Sequence, residues 1–547
     1  MANDFVNKQK QANYTFNSYR VRGDFDDDFN TPQYHAYPFP PPPPAAGQGR
    51  LTRPSHEQLA WPRRRTRNDP APRLRTRIRN ARRRLRTQLE ARRMQFVRHL
   101  GHGGNGVAAA FRFPDPGPNG ERRYLVAKSN HTVNGDIYIS WERGHTMRFR
   151  NAMHIVQLEQ PAPLVNRRRS ERIRARTPGH PDGSWPNHIA DVNNILFLEY
   201  LPRGSLHKAL CTMQSRQMVV PNRALWHMFH CLIKTCIAMA FPPRENPNLY
   251  DAAFSVSERI PQDRRKRKNR FIHFDIDPCN VLVGANEPGS SHPLISLLKL
   301  SDFGLAKMLI PAHLQNGELM LYVRRRAKLS YYTPEQFTNE WDYVYANHTP
   351  WSMPTQPDIA GNLGWRNNLF QIGLVMLSLI TNCYPPLPPY PARVYVPPLE
   401  VAHLDDDDED RQGNPPADAA QYVRTRAGGD APLPPHGWDE DRYRMSANPA
   451  VRARWAEHAA NDDDRLRYDD NSGGRSRIPR DWVRVWSWGG FILDDAVPAY
   501  RRIDRELRVL VAWCLCDRPI YRPRLRRLEW EVRGWIRRNW GDDEDRG

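Results

Sequence analysis

The segment His273-Phe274-Asp275-Ile276-Asp277-Pro278-Cys279-Asn280, followed 22 residues after its Asn by Asp302-Phe303-Gly304, constrains this chain more than any other feature. An Asp and an Asn five positions apart on one loop, with a further Asp after a short apolar run, can hold a nucleotide's metal and an acceptor hydroxyl together. Phosphoryl transfer is the chemistry that needs this arrangement. The protein does little covalent work there and instead aligns acceptor, metal and triphosphate while neutralising charge. Either string alone is a common accident; both in order, with suitable partners upstream, are not.

Those partners exist. Leu100-Gly101-His102-Gly103-Gly104-Asn105-Gly106-Val107 has the spacing G-x-G-x-x-G, which lets a hairpin lie close over phosphates with backbone N–H groups turned inward. A dinucleotide fold would require a helix directly after the glycines and an acidic residue about 20 positions on. A strand ending Val126-Ala127-Lys128 follows instead. Such a Lys needs a carboxylate to orient it, and Glu142, in a helix expected over 136–149, is the best placed; an exposed helical Glu is the simpler alternative. Glu171 lies in a polar stretch and is a poor rival.

The rest of the chain sets the frame. Strands are expected at 95–100, 124–128, 154–156 and 194–201, and helices at 222–240, 367–381, 504–516 and 523–538. Strands first and helices later imply an α+β domain of two lobes, the first about 95–200 and the second about 201–540. Residues 1–94 read as a disordered leader, Pro-rich and then Arg-rich. Fifteen arginines stand between Arg63 and Arg98 against Asp69 and Glu90, so most of the net charge of +21 belongs there. Leu74, Ile78, Leu85 and Leu89 recur at roughly helical spacing within it. A solvated basic tail is the plainer reading of 73–93; contact with nucleic acid or an acidic surface is the alternative. Disordered inserts are expected at about 166–187, 242–270 and 385–480, the last carrying six acids from Asp405 to Asp410. Arg264-Arg265-Lys266-Arg267-Lys268 could serve as a nuclear address or as nothing. No apolar run reaches about 18 residues, so no membrane span is expected. The start lacks a secretory pattern, and seven scattered cysteines show neither zinc spacing nor a disulfide framework. An intracellular setting, cytoplasmic or nuclear, follows.

As an ordered set, the glycine loop, Lys128, Glu142, the catalytic-type loop, Asp302-Phe303-Gly304, Thr333-Pro334-Glu335, Asn368, Gly373 and Arg522-Pro523 resemble the protein kinase superfamily, particularly divergent kinases of filamentous fungi. The resemblance covers about 95–540 less the inserts. It implies ATP and Mg²⁺ as cofactors and a protein substrate carrying Ser or Thr. It makes Asp275 the acceptor of the hydroxyl proton, Lys128 and Glu142 the catalytic ion pair, and Asn280 and Asp302 the metal ligands. Leu100, Gly101, Gly103, Gly106, Ala127, Leu198 and Leu282 would surround the nucleotide, with backbone groups of Glu199 to Leu201 meeting the adenine edge. His273 would pack on Phe303, and Glu335 would pair with Arg522 as a buried strut.

The chain departs from that pattern at several points. Phe274 replaces an Arg that ordinarily reads a phosphate on the activation segment, and Lys328 stands where a phosphorylatable Thr often does. Both imply activity independent of such phosphorylation. Asp277 replaces a Lys that contacts the transferring phosphate, which a carboxylate would repel. Asn368 replaces an Asp that accepts backbone N–H groups, and Ala108 a Val over the adenine. Two functions stay open: an active kinase, and a kinase-shaped scaffold with weak or no phosphotransfer.

Overall fold

The computed structural model describes residues 72–541, except 103–105, 115–121, 132–134, 160–194, 217, 244–255, 264–267, 286–294, 311–312, 314–316, 329, 339–358, 386–391, 397–482 and 496. The expected disorder of residues 1–71, the insert at 166–187, most of the basic cluster and the acidic run lie outside the described residues.

The chain enters through helix α1 (Pro72–Glu90), and here the solvated-tail reading fails. Ala81, Leu85 and Leu89 repeat every four residues, which places them on one face of a helix. All three are buried, Leu89 completely, against Val107, Phe111, Leu125, Ala127 and Phe197. The arginines occupy the other faces. Arg75, Arg77, Arg79 and Arg83 are exposed, while Arg84 donates to Asn130 O at 3.0 Å. Packed structure is therefore already present over Pro72–Glu90, within the stretch 1–94 read as a leader.

A four-stranded antiparallel sheet follows: β1 (Gln95–His102), β2 (Gly106–Arg112), β3 (Tyr124–Asn130) and β4 (Ile195–Glu199), in sequence order. Period-two alternation splits its side chains. Val107, Ala109, Phe111, Leu125, Ala127, Ile195 and Phe197 face α1. The register pairs Ala108 with Lys128 and Lys128 with Leu196, then Ala110 with Val126 and Val126 with Leu198, so these residues share the opposite face. That face carries helix α2 (Gly135–Met147). The strand expected over 154–156 reduces to isolated bridges, Ile155 to Leu300 and Leu158 to Leu198.

The larger part is mainly helical: α3 (Leu206–Ser215), α4 (Asn222–Ala240), short strands β5 (Phe271–Ile272), β6 (Val281–Val283), β7 (Leu298–Leu300) and β8 (Lys307–Met308), then α5 (Gly317–Arg324), α6 (Pro334–Phe337) and α7 (Trp365–Thr381). Strands β9 (Ala392–Val396) and β10 (Val483–Ser487) and helices α8 (Arg505–Cys514) and α9 (Leu525–Trp540) complete it. Helix α7 is apolar on most faces because it is buried along nearly its whole length between α4 and α8. A small sheet with its helices above a helical body is an α+β fold.

Two expected inserts are narrower than the sequence implied. Ala392–Val396 forms an antiparallel pair with Val483–Ser487, so ordered structure re-enters the stretch 385–480. Within 242–270, Glu258 is 2% exposed and its carboxylate takes the His154 backbone N–H at 2.7 Å and lies 2.6 Å from Nδ1. A polar composition concealed one buried anchor. No helix among the described residues is long and apolar enough to cross a membrane.

Candidate functional site

The site forms where the lower face of the sheet meets the loops before β6 and after β7. Lys128 leaves β3 on that face, and its Nζ lies 2.8 Å from Glu142 Oε1 and 2.8 Å from Asp302 Oδ1. Residues 14 and 174 positions away in sequence thus meet on one ammonium. Glu142 is 4% exposed, which removes the alternative of a solvated helical Glu. Burial pushes its carboxyl up to about 7, with Lys128 opposing. Desolvation also works against ionising Asp302, but Lys128 overrides it and holds that carboxyl down at about 2. Burial would lower the Lys128 ammonium, yet Asp302 and Glu142 keep it above its ordinary range.

Helix α2 is fixed by more than this ion pair. Arg143 donates to Ile195 O at 2.8 Å, and His145 Nδ1 lies 3.3 Å from Phe303 O. Phe149, just past the helix, packs on Phe271 and Phe303 at centroid distances of 4.7 and 5.2 Å. His273 meets Phe303 edge-on at 4.7 Å, as the resemblance implied. A cluster of edge-on and tilted aromatic contacts thus ties the end of α2, β5, the catalytic-type loop and the Asp-Phe-Gly turn together. Asp302 sits at φ 64°, a left-handed conformation that costs a non-glycine residue energy and is kept by its surroundings. Gly304 packs closely under both carboxylates: a Cβ there would lie 3.1 Å from Asp302 Oδ1, so a larger residue would have to displace that carboxylate by a few tenths of an ångström.

The loop itself is pinned by hydrogen bonds. Asn280 Nδ2 donates to Asp275 O and to Asp275 Oδ2, both at 2.8 Å, which leaves its amide oxygen for a cation. Asp275 is 5% exposed, and its Oδ1 has no hydrogen-bond partner among the described residues. Burial pushes the Asp275 carboxyl up; Lys328 opposes this, while Asp277 and Asp302 add to it. The His273 ring accepts the Asp275 N–H at Nδ1 (3.2 Å), so Nε2 carries the proton and donates to Ser301 O at 3.1 Å. Burial holds that imidazole down at about 3, hence neutral, so its role is structural. Asn368 Oδ1 accepts the His273 N–H at 3.0 Å and its Nδ2 donates to Phe271 O at 2.8 Å. An amide here accepts one loop N–H. A residue the sequence did not single out takes the next: Gln371 Oε1 accepts from Ile276 N at 3.3 Å, while its Nε2 donates to Tyr331 O at 2.9 Å. Gln371 lies three residues after Asn368, one helical turn, which was the available signal.

Of the residues expected around a nucleotide, Leu198, Leu201 and Leu282 join Val126, Leu196 and Leu158 in one apolar cluster beneath the sheet. Ala127 does not. It is fully buried on the α1 face, and Val126 takes the place assigned to it because the strand alternates. Gly101 and Leu100 lie on β1, with Leu100 40% exposed, and Gly103 falls outside the described residues. At Gly106 a Cβ would stand 2.8 Å from Ser129 O, so the tight β2–β3 approach excludes any other residue. Glu199 places its carboxylate on Lys299 at 2.8 and 2.9 Å, and its N–H donates to Gln157 O at 3.0 Å, which removes that N–H from the expected adenine edge.

The lower boundary is the segment between β8 and α6. Phe274, also at positive φ (64°), is 1% exposed and packs with Ile272, Leu309, Met320, Leu321 and Val323. Glu335 and Arg522 are fully buried and bidentate, at 2.6 and 3.0 Å, with the guanidinium also donating to Cys516 O, Arg366 O and Asp517 O. Those extra acceptors satisfy a charge pair that would otherwise be costly to bury.

No family profile matches the chain. It is 23% identical over 186 residues to a PR5-like receptor kinase of Arabidopsis thaliana, covering 34% of this chain and 19% of that protein's length. The sequence likeness is to a kinase. Among solved structures, it aligns with a chain of the CAK complex from Chaetomium thermophilum bound to ATP-gamma-S. That match has a TM-score of 0.39 and 16% identity, covering 84% of this chain and 96% of the other.

Proposed function

We propose that this chain is an ATP-dependent protein kinase that transfers the γ-phosphoryl group to Ser or Thr of a protein substrate. The observation that carries this reading is Lys128 held at 2.8 Å by both Glu142 and Asp302, which links sheet, helix and Asp-Phe-Gly turn in one charge constellation. The donor set suits Mg²⁺: the Asp302 carboxylate and the Asn280 amide oxygen are hard oxygen ligands. Mg-ATP, when bound, supplies the phosphoryl group and neutralises charge on it. Asp275 offers Oδ1 to the acceptor hydroxyl, and Asn280 holds the carboxylate in orientation from its other side. Phe274 anchors the segment by apolar packing where a phosphate would otherwise be read, which supports activity without phosphorylation of that segment.

One observation favours a scaffold with weak or no phosphotransfer: Asp275 is only 5% exposed, so an acceptor must open a path to it. Assay of phosphate transfer from Mg-ATP to a panel of Ser- and Thr-containing peptides separates the two readings. Transfer that is lost in Lys128→Met and Asp302→Ala supports the kinase. Stabilisation by nucleotide with no transfer on any peptide supports the scaffold. The exposed arginines of α1 (Arg75, Arg77, Arg79, Arg83) further suggest a polyanion such as nucleic acid as a second partner. Their joint replacement by Gln should abolish salt-sensitive retention on nucleic acid. Seven free cysteines accord with a reducing interior, cytoplasmic or nuclear.

A further inference from the structure

We propose that Lys328 is the phosphate-facing cation of this site, delivered by the segment between β8 and α6 because the loop itself carries Asp277 where a cation would be expected. The inference rests on the phosphotransfer reading above. Lys328 Nζ lies 2.5 Å from Asp277 Oδ2 and 3.4 Å from Asp275 Oδ2. Asp277 is wholly committed. It is 1% exposed, its Oδ1 accepts the N–H groups of Cys279 (2.7 Å) and Asn280 (3.1 Å), and its Oδ2 faces Lys328. Its charge is therefore spent inside the loop and on the lysine, and does not project at a substrate. That corrects the repulsion expected from sequence.

Charge at the site favours a second lysine. Asp275, Asp277 and Asp302 are three carboxylates around one centre, and Lys128 is shared between Glu142 and Asp302. Counted with Glu142, four carboxylates face two ammoniums, so Lys328 lowers the formal excess of negative charge that an entering triphosphate and its metal meet from three to two. The lysine keeps 27% of its side chain exposed against 1% for Asp277, so it can reach a ligand while still tethered. Because it belongs to a separate segment, the cation is in place only when that segment is seated through Phe274 and the Glu335–Arg522 pair.

The test is the affinity for Mg·AMP-PNP relative to Mg·ADP, which reads the terminal phosphate without requiring turnover. Lys328→Met should weaken AMP-PNP binding about tenfold or more and leave ADP within about twofold. Lys328→Arg should retain the preference, which guards against a mere folding defect. An unchanged ratio in Lys328→Met overturns the proposal, as does a wild-type protein that does not distinguish the two nucleotides. Peptide phosphorylation by the wild type reads the kinase assignment separately. A protein that loses the preference in Lys328→Met but never transfers phosphate keeps this inference and refutes that one.

Discussion

Truncating Leu85 and Leu89 to Ala tests whether α1 belongs to the domain. Leu89 is fully buried and Leu85 1% exposed, both against the outer face of the sheet. Removing a buried leucine side chain costs about 2–5 kcal/mol, part lost transfer energy and part cavity. The two positions are one helical turn apart and share a cavity, so their effects should fall short of additive and total about 4–7 kcal/mol. That is a large fraction of the roughly 5–15 kcal/mol that holds an ordinary domain together. Urea unfolding followed by tryptophan fluorescence should show a lower midpoint for each single variant and a partly unfolded double variant. For a solvated tail the same changes would fall within about 0.5 kcal/mol, and such a result would refute the docked helix. Deleting residues 1–94 should likewise destabilise the protein, so loss of activity in that truncation would say nothing about polyanion binding.

Three other outcomes follow. Phe274→Ala removes a buried ring from the cluster with Met320, Leu321 and Val323, and should cost about 3–5 kcal/mol and open the segment to limited proteolysis near 317–338. Arg522→Ala strands Glu335 as an uncompensated buried charge and should cost about 3–5 kcal/mol, whereas Trp530→Ala, at a 61% exposed position, should change the unfolding midpoint little. Burial would lower the His154 imidazole, but Glu258 raises it to about 9. A raised pKa contributes stability that is complete below the unfolded value near 6.5 and lost as pH climbs toward about 9. Melting temperature should therefore fall between pH 6.5 and 9 through this pair, and Glu258→Gln should flatten that slope.

The polar residues of the site were legible in the sequence because the proposed phosphoryl transfer would dictate their types. Asp275, Asn280, Asp302, Lys128 and Glu142 converge as their order implied. What escaped was set by packing. The apolar stripe of α1 was visible, but the density of arginine around it argued for solvent, and only the hydrophobic face of the sheet that α1 covers decides otherwise. Ala127 and Val126 exchange places because one residue of strand alternation flips a side chain to the other face. Gln371 and Glu258 acquire roles from partners 95 and 104 residues away, which no local pattern announces. The β9–β10 pairing closes across 86 residues that read as charged and Pro-rich, so Val394 and Val396 were hidden by their neighbourhood. The Lys328–Asp277 contact joins residues 51 positions apart, which the sequence did not pair.

The most direct test of the catalytic centre is the rate of γ-phosphate transfer to peptide by Asp275→Asn at saturating Mg-ATP. Asn keeps the shape and the contact with Asn280 but cannot accept the proton. The rate should fall about 10²-fold or more while the KM for ATP stays near the wild-type value. Transfer by Asp275→Asn at the wild-type rate would contradict the account, as would a wild-type protein that phosphorylates nothing.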